Sequence, residues 1–79
     1  MSTAEADALL DATGLECPMP LLRTKLALRP LTAGMTLRVI ATDPGSARDI
    51  PRYIELSAHE LCESCEHDGQ YIFVIRKGE

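Results

Sequence analysis

The sequence predicts an α/β two-layer sandwich of order β-α-β-α-β-β, with two helices packed on one face of a four-stranded mixed sheet. Three observations carry that prediction. The chain has 79 residues, which makes one domain with room for a thin core and no deep cavity. Turn-forming residues punctuate it at regular intervals, at Gly14, Gly34, Asp43-Pro44-Gly45 and Asp68-Gly69. Between them, two segments with helical spacing follow strand-like segments, the pattern of βα units whose helices cover one face of a sheet.

A short strand is expected over 9–13, ending at Gly14. A helix follows at once, because Pro18 and Pro20 fit a first helical turn, where a missing N–H has no intrahelical partner to lose. It runs to about Arg29, and Pro30 and Gly34 end it. Residues 35–42 alternate, with Leu37, Val39 and Ala41 on one face and Thr36, Arg38 and Ile40 on the other. That is a strand with one well-buried face. Asp43 is placed to cap a second helix with Pro44 at its first position. Ala47, Ile50, Ile54 and Ala58 then recur at helical spacing. Pro51 interrupts this pattern and leaves two starts open: a helix from Asp43 that kinks at Pro51, or a regular helix from Ile50 with Asp49 as its cap. Segments 61–65 and 71–76 are strand-like, and His67-Asp68-Gly69-Gln70 between them reads as a hairpin connection. Residues 1–8 are expected to be a flexible start and 9–79 a single domain.

Charged residues make up 25% and apolar residues 46% of the chain, a composition that folds. The net charge of −4 argues against direct nucleic-acid binding, which needs a basic footprint to release counterions. It leaves room for docking on a basic protein surface. No apolar run approaches the ~20 residues that span a bilayer, so no membrane partner is expected. The segment 1–7 is small and acidic, without the basic start and apolar stretch of a secretory leader. The chain is accordingly read as cytoplasmic and monomeric. Its three cysteines, Cys17, Cys62 and Cys65, are odd in number. In a reducing compartment they make no disulfide framework, and at least one thiol is free.

The segment richest in chemistry is Gly14-Leu15-Glu16-Cys17-Pro18-Met19-Pro20. It sets a cysteine where a strand gives way to a helix. The first N–H groups of a helix lack intrahelical acceptors and the macrodipole is positive there, and both stabilise a thiolate. Pro18 and Pro20 stiffen the turn and hold the sulfur outward. Glu16 opposes activation, because a neighbouring carboxylate raises a thiol pKa, so the net activation is expected to be modest. The bland alternative is a small buried hydrophobe, a common fate of free cysteine; two prolines at the element boundary favour the exposed, reactive thiol.

The stretch Leu10-Asp11-Ala12-Thr13-Gly14-Leu15-Glu16-Cys17-Pro18-Met19-Pro20 resembles the N-terminal signature of the TusA/SirA family of sulfur carriers, an Asp and a Gly-Leu pair followed by Cys-Pro-x-Pro. Ala41-Thr42-Asp43-Pro44 through Asp49-Ile50-Pro51 resembles the family's entry to its second helix, and Tyr71-Ile72-Phe73-Val74-Ile75-Arg76-Lys77-Gly78 its last strand. The resemblance implies that 9–79 is a TusA-like domain with the same fold. It implies that Cys17 takes sulfane sulfur, as a persulfide, from a cysteine desulfurase or other sulfurtransferase. The sulfur then passes to a downstream acceptor protein serving tRNA 2-thiolation, molybdenum-cofactor supply or sulfur oxidation. Gly14, Pro18, Pro20, Asp43, Pro44 and Asp49 would be motif positions that shape the site. Persulfide exchange needs a thiolate and access to it. It calls for no metal and no cofactor, so the chain is expected to be a stoichiometric relay rather than an independent turnover enzyme.

Cys62 and Cys65 form a C-x-x-C, but a zinc site of that kind needs a second ligand pair. Only His59 and His67 are nearby, at no usual spacing. They are read as incidental strand residues pointing to opposite faces. The first helix carries two apolar stripes, Leu21, Leu28 and Leu31 with Ala27 at the flank, and Met19, Leu22 and Leu26. Either the helix is broadly buried, or the second stripe, which begins beside Cys17, is a docking patch. Lys25 and Arg29 either meet acidic partner residues or form a solvated face. Arg48 and Asp49 either form a local ion pair or belong to a partner surface. Two rival functions stand beside the carrier: an RNA-binding module, against which the acidic charge and only three aromatics weigh, and a regulatory interaction module with an incidental cysteine.

Overall fold

The structure is a computed structural model that describes residues 6–78. Its elements are β1 (Ala8–Ala12), α1 (Met19–Leu28), β2 (Thr36–Ala41), α2 (Ser46–Glu55), β3 (Glu60–His67) and β4 (Gln70–Arg76). The four strands form one mixed sheet of order β1-β2-β4-β3, in which β1 runs parallel to β2 and the other two pairs are antiparallel. This is the two-layer α/β sandwich the sequence predicts.

Alternation sets the register. Leu37, Val39 and Ala41 of β2 face the helices and are buried. Their strand partners Ile75, Phe73 and Tyr71 on one side, and Ala8, Leu10 and Ala12 on the other, share that face. Leu28 of α1 and Ile50 and Ile54 of α2 close over them to make the core. Each fully buried side chain of this size contributes about 1.5–3 kcal/mol relative to exposure. The β3–β4 hairpin turns at Asp68 (φ 51°) and Gly69 (φ 79°). Two consecutive residues with positive φ form a turn whose twist matches a hairpin, which is why Asp-Gly signals it in sequence.

Two boundaries differ from expectation. Neither start proposed for the second helix holds. The helix begins at Ser46 with Gly45 at the cap position and no side-chain cap. The carbonyls of Asp43 and Pro44 accept from the N–H groups of Ser46 (3.0 Å) and Ala47 (3.2 Å), so a backbone turn does the work assigned to the Asp43 side chain. The helix runs on through Pro51; the carbonyl deprived of a partner there belongs to Ala47, an exposed residue. At the N-terminus, Ala8 is the first residue of β1, and Asp7 is tied to Thr36, whose N–H donates to Asp7 Oδ2 at 2.9 Å. Of the flexible start expected over 1–8, residues 7 and 8 are therefore part of the fold, and 1–5 lie outside the described residues.

Candidate functional site

The loop that carries Cys17 is pinned at both ends. A β-turn closes from Leu15 N–H to the Ala12 carbonyl (3.2 Å), with Gly14 at φ 80° where a side chain would be strained. The Gly14 N–H donates to Thr42 Oγ1 at 2.8 Å, which ties the loop after β1 to the end of β2. Asp11 Oδ1 accepts from both the N–H and the hydroxyl of Thr13, and these bonds lower the Asp11 pKa. Pro18 stands at the N-cap of α1 after a cis Cys17–Pro18 peptide, and Pro20 is buried in the first turn. Cys17 itself is exposed.

The thiol does not draw on α1 as its place in the sequence suggests. The first N–H of that helix, on Met19, donates to the Glu16 carbonyl at 2.8 Å instead of to sulfur. Cys17 Sγ instead donates to Asp49 Oδ2 of α2 at 3.3 Å. That bond favours the protonated form, and with some desolvation and the charges of Asp49 and Asp43 it pushes the thiol pKa up; Arg48 opposes the rise. The modest activation expected from the helix terminus is thus replaced by a net raising, and the carboxylates responsible belong to Asp49 and Asp43, not Glu16. Arg48 and Asp49 do form the local ion pair, with Nε 3.5 Å from Oδ1. Gly45 lies against the sulfur: a Cβ there would come within 2.9 Å of Asp43 Oδ2 and 3.8 Å of Cys17 Sγ. Asp43 Oδ2 is buried and finds no hydrogen-bond partner among the described residues.

Around the thiol, α1 splits its two stripes between core and surface. Leu28 is buried, and Leu21, Ala27 and Leu31 pack against the core. Met19, Leu22 and Leu26 are 37%, 44% and 55% exposed, so the broadly buried alternative is set aside. Lys25 lies with its Nζ 4.9 Å above the Tyr53 ring, while Arg29 is exposed at the helix C-cap. Between the two helices runs a groove of about 260 Å³ lined by Leu21, Lys25, Asp49, Arg52, Tyr53 and Leu56. It reaches the carboxylate that holds the thiol. A larger hollow of about 460 Å³ lies on the other flank of α2, against Leu61 of β3, and contains no thiol.

A model of the family described as "Sulfurtransferase TusA" matches residues 8–77. The chain belongs to the TusA family. A sulfur carrier protein TusA of Pseudomonas putida is 47% identical over 77 residues, covering 98% of this chain and 96% of the relative. Another from Allochromatium vinosum is 46% identical over 74 residues, covering 94% and 97%. Among solved structures, the crystal structure of a SirA-like protein from Desulfitobacterium hafniense superposes with a TM-score of 0.79 at 31% identity, over 91% of this chain and 99% of that one.

Within this TusA domain the other two cysteines sit apart from the groove. Both are exposed on β3, and the pairing of β3 with β4 shifts register between Leu61 and Glu63, leaving Cys62 in the irregularity. The simple alternation expected for Cys62 and Cys65 therefore does not apply. Among the described residues no group of three or more His, Cys, Asp or Glu side chains is arranged to hold a metal ion, and no helix is long and apolar enough to cross a membrane. Sequence reasoning missed Gly45, Tyr53 and Leu56 as neighbours of the site, and it took Asp49 as a shaping position, a candidate cap or an Arg48 partner, not as the group bonded to the sulfur. The Asp43-Pro44-Gly45 turn was the available signal, since a glycine leading into a helix permits close approach.

Proposed function

We propose that this chain is a sulfur carrier that holds sulfane sulfur as a persulfide on Cys17. The observation that carries the reading is an exposed thiol, on a loop pinned at both ends beside an apolar stripe, in a chain that belongs to the TusA family. The Cys17 thiolate attacks the outer sulfur of a donor persulfide. The donor's S–S bond breaks, its electron pair stays on the donor cysteine as a thiolate that takes a proton from solvent, and the outer sulfur is left bonded to Cys17 as its persulfide. An acceptor cysteine repeats the exchange in the other direction. No net oxidation occurs, so the step calls on thiolate fraction and access alone.

The donor in this proposal is a cysteine desulfurase or another sulfurtransferase, and the acceptor is a protein thiol in a thiolation, molybdenum-cofactor or sulfur-oxidation route. A reducing cytoplasm suits a relay whose working group is a free thiol. Met19, Leu22 and Leu26 form its apolar docking surface, and Lys25 and Arg29 offer positive charge on the same helix. Incubation with a cysteine desulfurase and cysteine is expected to add the mass of one sulfur atom, removable by reductant. Cys17→Ser abolishes that gain while leaving the fold intact. Full loading of the Cys17→Ser protein overturns the assignment.

A further inference from the structure

Asp49 divides its two oxygens between opposite demands. Oδ1 lies 3.5 Å from Arg48 Nε, and Oδ2 accepts from Cys17 Sγ at 3.3 Å. The charged groups acting on the sulfur are Asp49 and Arg48 of α2 and Asp43 in the turn before it. Asp43 Oδ2, without a hydrogen-bond partner among the described residues, borders the same space beside Gly45 as the sulfur: a Cβ there would stand 2.9 Å from the oxygen and 3.8 Å from Sγ. Two carboxylates and one exposed guanidinium thus surround a group whose charge changes when it is loaded.

An empty Cys17 has a hydrogen to give, and Asp49 takes it. A loaded Cys17 does not. Its Sγ is bonded to the outer sulfur, and a persulfide S–H is more acidic than a thiol because its charge rests on sulfur bonded to sulfur. At neutral pH the loaded group is therefore an anion facing two carboxylates. The same side chains that stabilise the empty form repel the loaded one.

Resting on the reading of Cys17 as the persulfide carrier, we infer that Asp49 is a charge latch: it holds the empty thiol through a hydrogen bond and turns the loaded, anionic sulfur outward, so that sulfur is handed on more readily than it is kept. On discharge, an acceptor thiolate attacks the outer sulfur and the bond to Cys17 Sγ breaks. The electron pair stays on Sγ, which takes a proton from solvent and re-forms its bond to Asp49. Asp49 is in this sense a positioning residue. It sets the balance of the exchange without touching the transferred atom.

The test uses a Cys62→Ser, Cys65→Ser background, so that one thiol reports, and two measurements. The first is the pH dependence of Cys17 alkylation. The second is the partition of sulfur, at neutral pH, between the carrier and a glutathione persulfide/glutathione mixture. Asp49→Asn keeps the side-chain shape and removes the charge. It is expected to move the alkylation midpoint to lower pH and to shift the partition toward the loaded carrier by roughly threefold to tenfold, the range for one partly screened charge-assisted hydrogen bond. Arg48→Gln, at a side chain 83% exposed, is expected to move both in the opposite direction. A midpoint that stays in place, or one that moves while the partition does not, overturns the latch. If the unaltered carrier takes no sulfur at all, the carrier reading falls and the latch with it; if it takes sulfur but Asp49→Asn leaves the partition unchanged, the latch alone falls.

Discussion

Cys17 and the Cys62–Cys65 pair are all exposed to solvent, yet their surroundings have little in common. Cys17 is held by a carboxylate 32 residues away, on a loop tethered to the end of β2, at the head of an apolar stripe and next to an interhelical groove. Cys62 and Cys65 lie on a strand at the sheet edge among exposed polar residues, one of them at a break in register. Exposure alone does not make a thiol a sulfur carrier. What separates the two regions is a second element: the Asp49 carboxylate of α2 reaches over to the Cys17 sulfur.

The largest expected effect tests that separation directly. Replacing both Cys62 and Cys65 with serine is expected to leave sulfur loading unchanged, against its complete loss in Cys17→Ser, and the protein is expected to purify without stoichiometric zinc. Mass spectrometry and metal analysis on the same preparations check both statements. Loading that follows Cys62 or Cys65, or tight zinc lost with them, would erase the contrast.

A smaller effect is expected where the Cys17 region meets its partner. Leu26→Glu places a charge in the exposed stripe. It should slow sulfur transfer from a desulfurase about tenfold, as for a moderate interface residue, while shifting stability by less than about 0.5 kcal/mol. Melting temperature and transfer rate measured on one sample decide it: a normal melt with an undiminished rate removes Leu26 from the docking surface.

The smallest effect concerns the strand region and is a matter of stability alone. His59 lies just before β3, where its Nδ1 accepts from the Gly78 N–H at 2.9 Å. Burial, then the nearby Lys77, holds its pKa below the ordinary 6.5. Its folded pKa lies below the unfolded value, so the unfolded chain binds more protons in mild acid. The contribution is complete above pH 6.5 and is lost as pH falls through the depressed value. Thermal melts between about pH 7 and pH 5 should show a modest loss of stability that is smaller in His59→Gln. An equal slope in both proteins would remove His59 as its source.

Much of this was legible in the sequence because it is local or periodic. Leu37, Val39 and Ala41 declared the buried face of β2 and Asp68-Gly69 declared the hairpin, while the two stripes of α1 were visible but their division between core and surface was left open. Cys17 was recognisable from its motif. The chemistry around it was not, because the partner of the sulfur lies on another helix and no pattern along the chain encodes a contact across 32 residues. Glu16, adjacent in sequence, looked like the opposing charge, and Asp49, adjacent in space, supplies it. The start of α2 was misplaced for a related reason. Backbone carbonyls satisfied the first N–H groups, and a backbone bond leaves no residue signature. The shift at Cys62 is equally silent, since one extra residue in a strand changes no composition.

The register break in β3 has a bearing on how such a molecule survives in a crowded solution. β3 is an edge strand, and an open edge is a template for the strands of other chains. Here it carries Glu60, Glu63 and Glu66 along eight residues and loses its regular ladder near Cys62. A foreign strand sliding alongside meets carboxylates, and its seam is interrupted between Leu61 and Glu63. The charges and the break thus guard the β3 edge against strand addition, on the side of the sheet farthest from β1.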